Sequence, residues 1–271
     1  MLEIEKMMLN YVFPGGKKKV LTFSYDDGND SDRRLAQIFT DHHMKGTFNL
    51  NSGFQAGNGK IHLDELKSVF IEHGHEVACH GKLHPFEDQI PAPCVVEDIR
   101  EDRIALENAI GEPVRGMAYP FGTTSDEVKH ILRSLGIVYS RNVTSTHSIR
   151  YFPTDWLDWC PTAHHNQNIA ALGDNLLNDP WGLQMLYIWG HADEFEYGKN
   201  WNIIEEFCDK MADKDSIWYA TNIEIYDYMK ACKDLIISMD CHLIKNPSAM
   251  PVWIMVDKEI YKIEGGQMLV L

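Results

Sequence analysis

Four places in this 271-residue chain collect polar groups that packing alone gives no reason to expect. They are Asp26-Asp27-Gly28, His80 with His84, Pro120-Phe121-Gly122, and His191. Two adjacent carboxylates in one site repel, and a cation between them resolves the conflict. One then binds the metal while its neighbour, still free, acts as a base. The competing reading is a solvated turn, since Asp-Gly is common turn chemistry. His80-Gly81-Lys82-Leu83-His84-Pro85 is more specific. Two imidazoles four residues apart are a common metal-ligand spacing, but Gly81 intervenes and Pro85 biases His84 away from the helical region. The pair therefore belongs to a strand end and its loop. Strand alternation puts Cys79 on the face opposite His80, in the core rather than on the metal. Adding Asp27 gives two histidines and one carboxylate. That set suits zinc or another divalent transition metal and leaves positions open for water and substrate. The alternative is two surface histidines on a loop.

A fifth stretch is ambiguous. Asp155-Trp156-Leu157-Asp158-Trp159-Cys160-Pro161 leads into His164-His165. Its acids, aromatics and imidazoles could line a sugar cleft, with Trp159, His164 and His165 touching substrate, or could be a packed loop. His42 and His43 read as solvated positions on an amphipathic helix, and His73 and His75 flank a helix end without a role.

The elements that must hold these groups alternate between strand and helix. Strand-like runs cover residues 19–23, 46–50, 75–80, 114–119, 137–143, 184–189 and 217–220. Between them lie helical patterns: one capped by Ser31, one from about Asp64 closed by Gly74, one over 95–110, one capped by Ser125, and one over 201–211. About seven alternations over the first ~220 residues are the mark of parallel α/β architecture. A barrel or an open doubly wound sheet satisfies that pattern equally. All four polar places fall at or just past the C-terminal end of a strand, where α/β barrels build their active sites. Residues 235–271 differ, with short β-prone runs and turns at Asp257-Lys258 and Gly265-Gly266. The expected division is a catalytic unit, 1–222, and a helix with a small antiparallel β appendage, 223–271.

Forty acidic against 25 basic side chains leave a net charge of −15. That disfavours nucleic acid or an anionic membrane as partner. Lys17-Lys18-Lys19, beside Gly15-Gly16, reads as a solvated turn. No apolar run reaches membrane-spanning length. The first residues, Met1-Leu2-Glu3-Ile4-Glu5-Lys6, carry acids where an export signal wants bases. Six scattered cysteines without a C-x-x-C pair then stay reduced, and the expected address is cytoplasmic.

These motifs resemble those of the polysaccharide deacetylase family (carbohydrate esterase family four, the NodB-homology domain). Thr22-Phe23-Ser24-Tyr25-Asp26-Asp27-Gly28 resembles the family's T-F-D-D-G with two residues inserted, and His80-x-x-x-His84 its second motif. Ala118-Tyr119-Pro120-Phe121-Gly122 is similar to R-x-P-Y-G, Asp155-x-x-Asp158-Trp159 to the fourth motif, and Trp189-Gly190-His191 to L-x-H. The resemblance implies a deformed (β/α) barrel with one divalent metal, usually zinc. It implies Asp27, His80 and His84 as ligands, Asp26 as general base and His191 as general acid. The Phe121 backbone N–H would hold the oxyanion, with Tyr119 beside it at the substrate. There are departures. Ala118 stands where the family has the arginine that braces the base, and Arg115 is placed too far along the run to replace it. Trp189 stands for an aliphatic residue, and Asp158 loses its arginine partner. These mark a divergent branch. The expected activity is removal of an N-acyl group, acetyl foremost, from an amino sugar or short saccharide. The alternatives are a ureide or cyclic-amide hydrolase on the same barrel and a non-catalytic carbohydrate-binding module.

Overall fold

The structure, a computed structural model, describes residues 9–271. Met1 to Lys6, on which the expectation of no export signal rests, lie outside the described residues. The chain runs β1 (Leu9–Val12), β2 (Lys19–Asp26), α1 (Ser31–Asp41), β3 (Gly46–Leu50), α2 (Leu66–Val69), β4 (Glu76–Cys79), α3 (Ala92–Ile110), β5 (Gly116–Ala118) and α4 (Asp126–Ser134). It continues through β6 (Tyr139–Arg141), β7 (Ala163–His164), α5 (Ile169–Asn178), β8 (Gln184–Gly190), α6 (Asp193–Gly198), α7 (Asn202–Met211), β9 (Ile217–Tyr219) and α8 (Asn222–Lys233). Five short strands close it: β10 (Ile236–Ile237), β11 (Leu243–Lys245), β12 (Val252–Val256), β13 (Glu259–Ile263) and β14 (Met268–Val270). Among the described residues no helix is long and apolar enough to cross a membrane.

β2 is covered on both faces, and its period of two sorts its side chains. Leu21, Phe23 and Tyr25 face the helices, sharing a core with Leu35 and Phe39 of α1 and Phe207 of α7. Val20, Thr22, Ser24 and Asp26 alternate onto the interior face. The parallel strands run in the order β6-β5-β4-β3-β2-β8-β7. β9 shares an edge of β2 with β3: it pairs with Lys19 to Leu21, and β3 with Phe23 to Asp26. At the ends of this order Arg141 bridges in parallel to Trp159, just before β7. The wall is thus a deformed (β/α) barrel rather than an open doubly wound sheet. The lower interior is polar and closed by α8, whose Asn222 accepts from Thr22 Oγ1 at 2.9 Å.

Several local expectations change. β2 is unbroken from Lys19 to Asp26, so Ser24-Tyr25 continue the strand directly into the carboxylates. The helix expected after Asp64 is one α-turn flanked by 3₁₀ turns. Phe70 caps the α-turn with a widened φ of −116° (ψ −58°), and its ring stacks on Phe48 at 4.3 Å. The basic cluster is not solvated throughout: Lys17 Nζ donates to Ile217 O at 2.9 Å and Lys19 Nζ to Leu177 O at 2.7 Å. His75 is a buried structural residue. Its Nδ1 accepts from Gly46 N (3.2 Å), Nε2–H donates to Ala36 O (3.1 Å), and burial lowers its pKa to about 4. Beyond α8 the chain forms two small antiparallel sheets, β1-β12-β13 and β10-β11-β14. The first recruits β1 from the other end of the described chain. Its β12–β13 hairpin turns through Asp257 and Lys258 with φ of 47° and 78°, the signs a primed two-residue turn requires.

Candidate active site

At the end of β2, alternation leaves Asp26 pointing into the barrel. The chain then turns left-handed through Asp27 (φ 81°) and Gly28 (φ 63°), so consecutive carboxylates face one space. A Cβ at Gly28 would lie 2.7 Å from Gln55 Nε2 and 2.8 Å from Leu50 Cδ2. Asp26 is buried and doubly held. Its Oδ2 is ion-paired with Arg141, itself fully buried, and its Oδ1 accepts from Asn49 Nδ2 at 2.8 Å. Burial pushes the Asp26 carboxyl up, but Arg141, His80 and His191 outweigh it and hold its pKa below the usual range. It is a carboxylate at neutral pH.

β4 ends at Cys79, which packs in the core, and His80 follows on the interior face. His80 Nδ1 donates to the Ala118 carbonyl at 2.8 Å, which leaves the Nε2 lone pair for a ligand. Burial lowers the pKa of this ring, so it is neutral. Gly81 (φ 72°) and His84 (φ 52°) fold the loop back until the two Nε2 atoms lie 3.1 Å apart. Asp27 Oδ1 is 3.7 Å from His80 Nε2 and 3.9 Å from His84 Nε2. Three donors facing one point, one with its tautomer fixed by a carbonyl, fit a divalent ion. Two buried carboxylates on one face of α3 hold this loop. Asp98 accepts from Lys82 N (2.8 Å) and Leu83 N (2.9 Å), and Asp102 from Ser52 N (2.8 Å) and His80 N (3.1 Å).

Phe121 follows β5 at φ 57°, and its N–H donates to no backbone carbonyl among the described residues. Its ring is stacked on Phe86 at 3.7 Å and edge-on to His84 at 4.4 Å. Non-glycine residues in this region cost of order 1–3 kcal/mol each. Asp27, His84 and Phe121 are all such residues, gathered at one place. Opposite, His191 Nε2 lies 3.9 Å from Asp26 Oδ2, and its Nδ1–H donates to Glu194 at 3.0 Å. Burial pushes the imidazole down, but Glu194, Asp26 and Asp27 more than offset that, and its pKa rises to about 9.

The polysaccharide deacetylase family model matches residues 14–140, the stretch that carries the first three motifs. Over those residues the chain is similar to the polysaccharide deacetylase family. Among solved structures, a Mycobacterium smegmatis protein designated a polysaccharide deacetylase is 19% identical, with 82% of this chain and 93% of that one covered at a TM-score of 0.61. The Xyl-CE4 domain of a multidomain xylanase from the hindgut metagenome of Trinervitermes trinervoides is 16% identical, covering 79% and 92% at 0.53. A CE4 family pseudoenzyme from Bacillus anthracis is 17% identical, covering 79% and 67% at 0.51. At these identities the likeness is one of fold. No curated protein matches the sequence.

Against the polysaccharide deacetylase pattern, the supports of this site have moved. Ala118 pairs in register with Arg141 of β6, so the guanidinium missing from the third motif comes from the neighbouring strand. Arg115 instead pairs with Asp227. Asp158 does not reach the base: it accepts from Lys129 at 2.9 Å and Asn142 at 2.7 Å. Trp189 lies under Arg141, whose guanidinium carbon is 4.4 Å from the indole centroid. Two expected substrate contacts are corrected. Trp159 is fully buried between Tyr139 and Tyr187, because its aromatic-rich loop seals the gap beside β6. Tyr119 is also buried, donating from its hydroxyl to Leu157 O at 2.7 Å. His164 and His165 gather instead around Glu194, at 3.4 Å and 3.0 Å.

Arg141, Asn49, Glu194, Asp98 and Asp102 are absent from the sequence reading. Arg141 did leave a signal there: a charged side chain in a β-prone run must find a buried partner. Arg141→Met is expected to cost about 3–5 kcal/mol of stability, because it strands Asp26 in the interior. The Asp26 carboxylate is present above its pKa and lost as pH falls through it. Without Arg141 that pKa rises, so the acid limb of any activity profile moves to higher pH. An unmoved limb and unchanged denaturation midpoint would show the pair to be idle.

Proposed function

We propose that the protein is a metal-dependent hydrolase that removes an N-acyl group, acetyl foremost, from an amino sugar or short saccharide. One observation supports this above the others. An ionised, buried carboxylate, a divalent-cation donor set and a protonated imidazole surround one space, with a free backbone N–H beside it. A divalent ion, zinc in the first instance, held by Asp27, His80 and His84 supplies Lewis acidity and lowers the pKa of water towards ~7. Asp26, oriented by Arg141 and Asn49, takes the proton from the attacking water. The Phe121 N–H donates to the oxygen on which charge develops. His191 gives its Nε2 proton to the departing nitrogen, and Glu194 keeps the ring charged and aimed. A carbohydrate-binding module needs neither a free base nor an acid, and both are retained. Six unpaired cysteines suit a reducing compartment, and we place the protein in the cytoplasm.

The test is metal analysis together with acetate release from a panel of N-acetylated saccharides, with hydantoin-type amides run beside them. Expected are an ion at this site and turnover on the saccharides, with that ion and the turnover both lost in His80→Ala and His84→Ala, since a three-ligand site has no spare. Cys79→Ala retains both. Turnover only of the cyclic amides would move the substrate class, and full metal occupancy in the double histidine variant would overturn the ligand set. His191 is charged below its pKa and loses its proton above it. The kcat/KM for amides should therefore hold through neutral pH and fall as pH rises through about 9. Glu194→Gln should bring that fall down towards the ordinary imidazole range, while a limb unmoved by the substitution would take Glu194 out of this role.

A further inference from the structure

We propose that His164, His191 and Glu194 form a second divalent-cation site, and that zinc bound there inhibits the reaction. The inhibitory part rests on His191 being the general acid. Glu194 Oε1 is 3.0 Å from His191 Nδ1, and Oε2 is 3.4 Å from His164 Nε2. One donor atom from each of the three residues lies within 4.8 Å of the others. Tetrahedral zinc with bonds of about 2.0–2.1 Å sets neighbouring donors about 3.3 Å apart, so these separations suit it at least as well as those of the Asp27 site. A second observation points the same way. His165 is fully buried, stacked between Tyr25 and Phe195, and its Nε2 lies 3.0 Å from Glu194 Oε2. The other nitrogen, Nδ1, is buried and has no hydrogen-bond partner among the described residues. A buried imidazole therefore faces the cluster, with Glu194 as the partner of its Nε2. Asn166 Nδ2 donates to Glu194 Oε2 at 2.9 Å and steadies the carboxylate. His164, His191 and Glu194 each keep some exposure, so an ion can enter from solvent.

The consequence follows from the two nitrogens of His191. In the charged ring Nδ1–H points at Glu194 and Nε2–H at the reacting centre. Zinc on Nδ1 sends that proton to solvent and takes Glu194 as its own ligand. The ring keeps Nε2–H but is no longer an imidazolium, so it becomes a poor proton donor. Amide hydrolysis slows, while hydrolysis of an aryl ester, whose phenolate leaves unprotonated, does not.

The test is a calorimetric zinc titration of metal-free protein, with metal content measured after desalting. Wild type should take two ions per chain. His164→Ala and Glu194→Gln should each take one, and the His80→Ala, His84→Ala double variant should keep the other. One ion in wild type, or two in both His164→Ala and Glu194→Gln, overturns the site whether or not the protein proves to be a hydrolase. Zinc beyond one equivalent should slow N-acetyl hydrolysis by at least about tenfold and leave aryl acetate hydrolysis nearly unchanged. Equal slowing of both substrates overturns the inhibitory mechanism. Absence of turnover on every acyl substrate would instead bring down the hydrolase reading, with the zinc count still deciding the site.

Discussion

Asp26→Asn is expected to keep its metal and to lose about 10²–10⁴-fold in turnover on an N-acetyl substrate. Asparagine is nearly isosteric, and its one amide oxygen can keep accepting from Arg141, while its NH2 group then faces the Asn49 amide that donates to Asp26 in the wild type. It cannot take up a proton at neutral pH, which is the one step the base must perform. The substitution also leaves the fully buried Arg141 charge unmatched, at a cost of up to about 3–5 kcal/mol. A fall in rate therefore has two explanations, and two further measurements separate them. Metal content and the denaturation midpoint are read on the same preparation, and the assay is run well below that midpoint. A folded, metal-loaded Asp26→Asn protein near the wild-type rate would mean that the base lies elsewhere.

The residues that would touch the reacting atoms were legible because each is announced locally. Asp26-Asp27-Gly28, the paired histidines, Pro120-Phe121-Gly122 and His191 all sit where a β-prone run breaks into turn residues. In a parallel barrel those breaks share one end. The architecture was legible for the same reason, although periodicity alone left a barrel and an open sheet equal. What separates them is the Arg141–Trp159 bridge, a contact between segments whose order in space no local pattern records.

The supports were not legible, because they depend on register between strands. Ala118 reads as a lost arginine only when its own strand is considered. Paired with Arg141, the same position becomes a small residue that makes room for a guanidinium from the next strand. Glu194 holds His191 from three residues downstream, across the turn into α6. Asp98 and Asp102, one helical turn apart, read as ordinary polar positions until the ligand loop is laid against them. Trp159 shows the opposite failure. Aromatic and acidic residues mark a sugar cleft and a sealed loop alike, and only burial tells them apart.

His191→Ala should cut hydrolysis of an N-acetyl amide by roughly 10²–10⁴-fold and leave hydrolysis of an activated aryl acetate almost intact. An amine is a very poor leaving group until its nitrogen is protonated, and the acid that does this must carry its proton at working pH. The His191 ring meets that condition because Glu194 and the two aspartates hold its pKa near 9. A phenolate needs no such help. The two substrates share the attack step, the base and the oxyanion donor, so their ratio isolates the proton delivered to the leaving group. Equal loss on both would mean that His191 serves the fold, the metal or the oxyanion. Metal content and stability of the variant would say which. The Asp26 contact supplies an internal check on this result. His191 also helps to hold the Asp26 carboxyl down. Its removal should shift the acid limb of the surviving esterase activity slightly upward, and by less than Arg141→Met does, because Arg141 pairs directly with Asp26 while His191 Nε2 stands 3.9 Å away. A variant that loses the amide reaction, keeps the ester reaction and shows this small shift has lost an acid and little else.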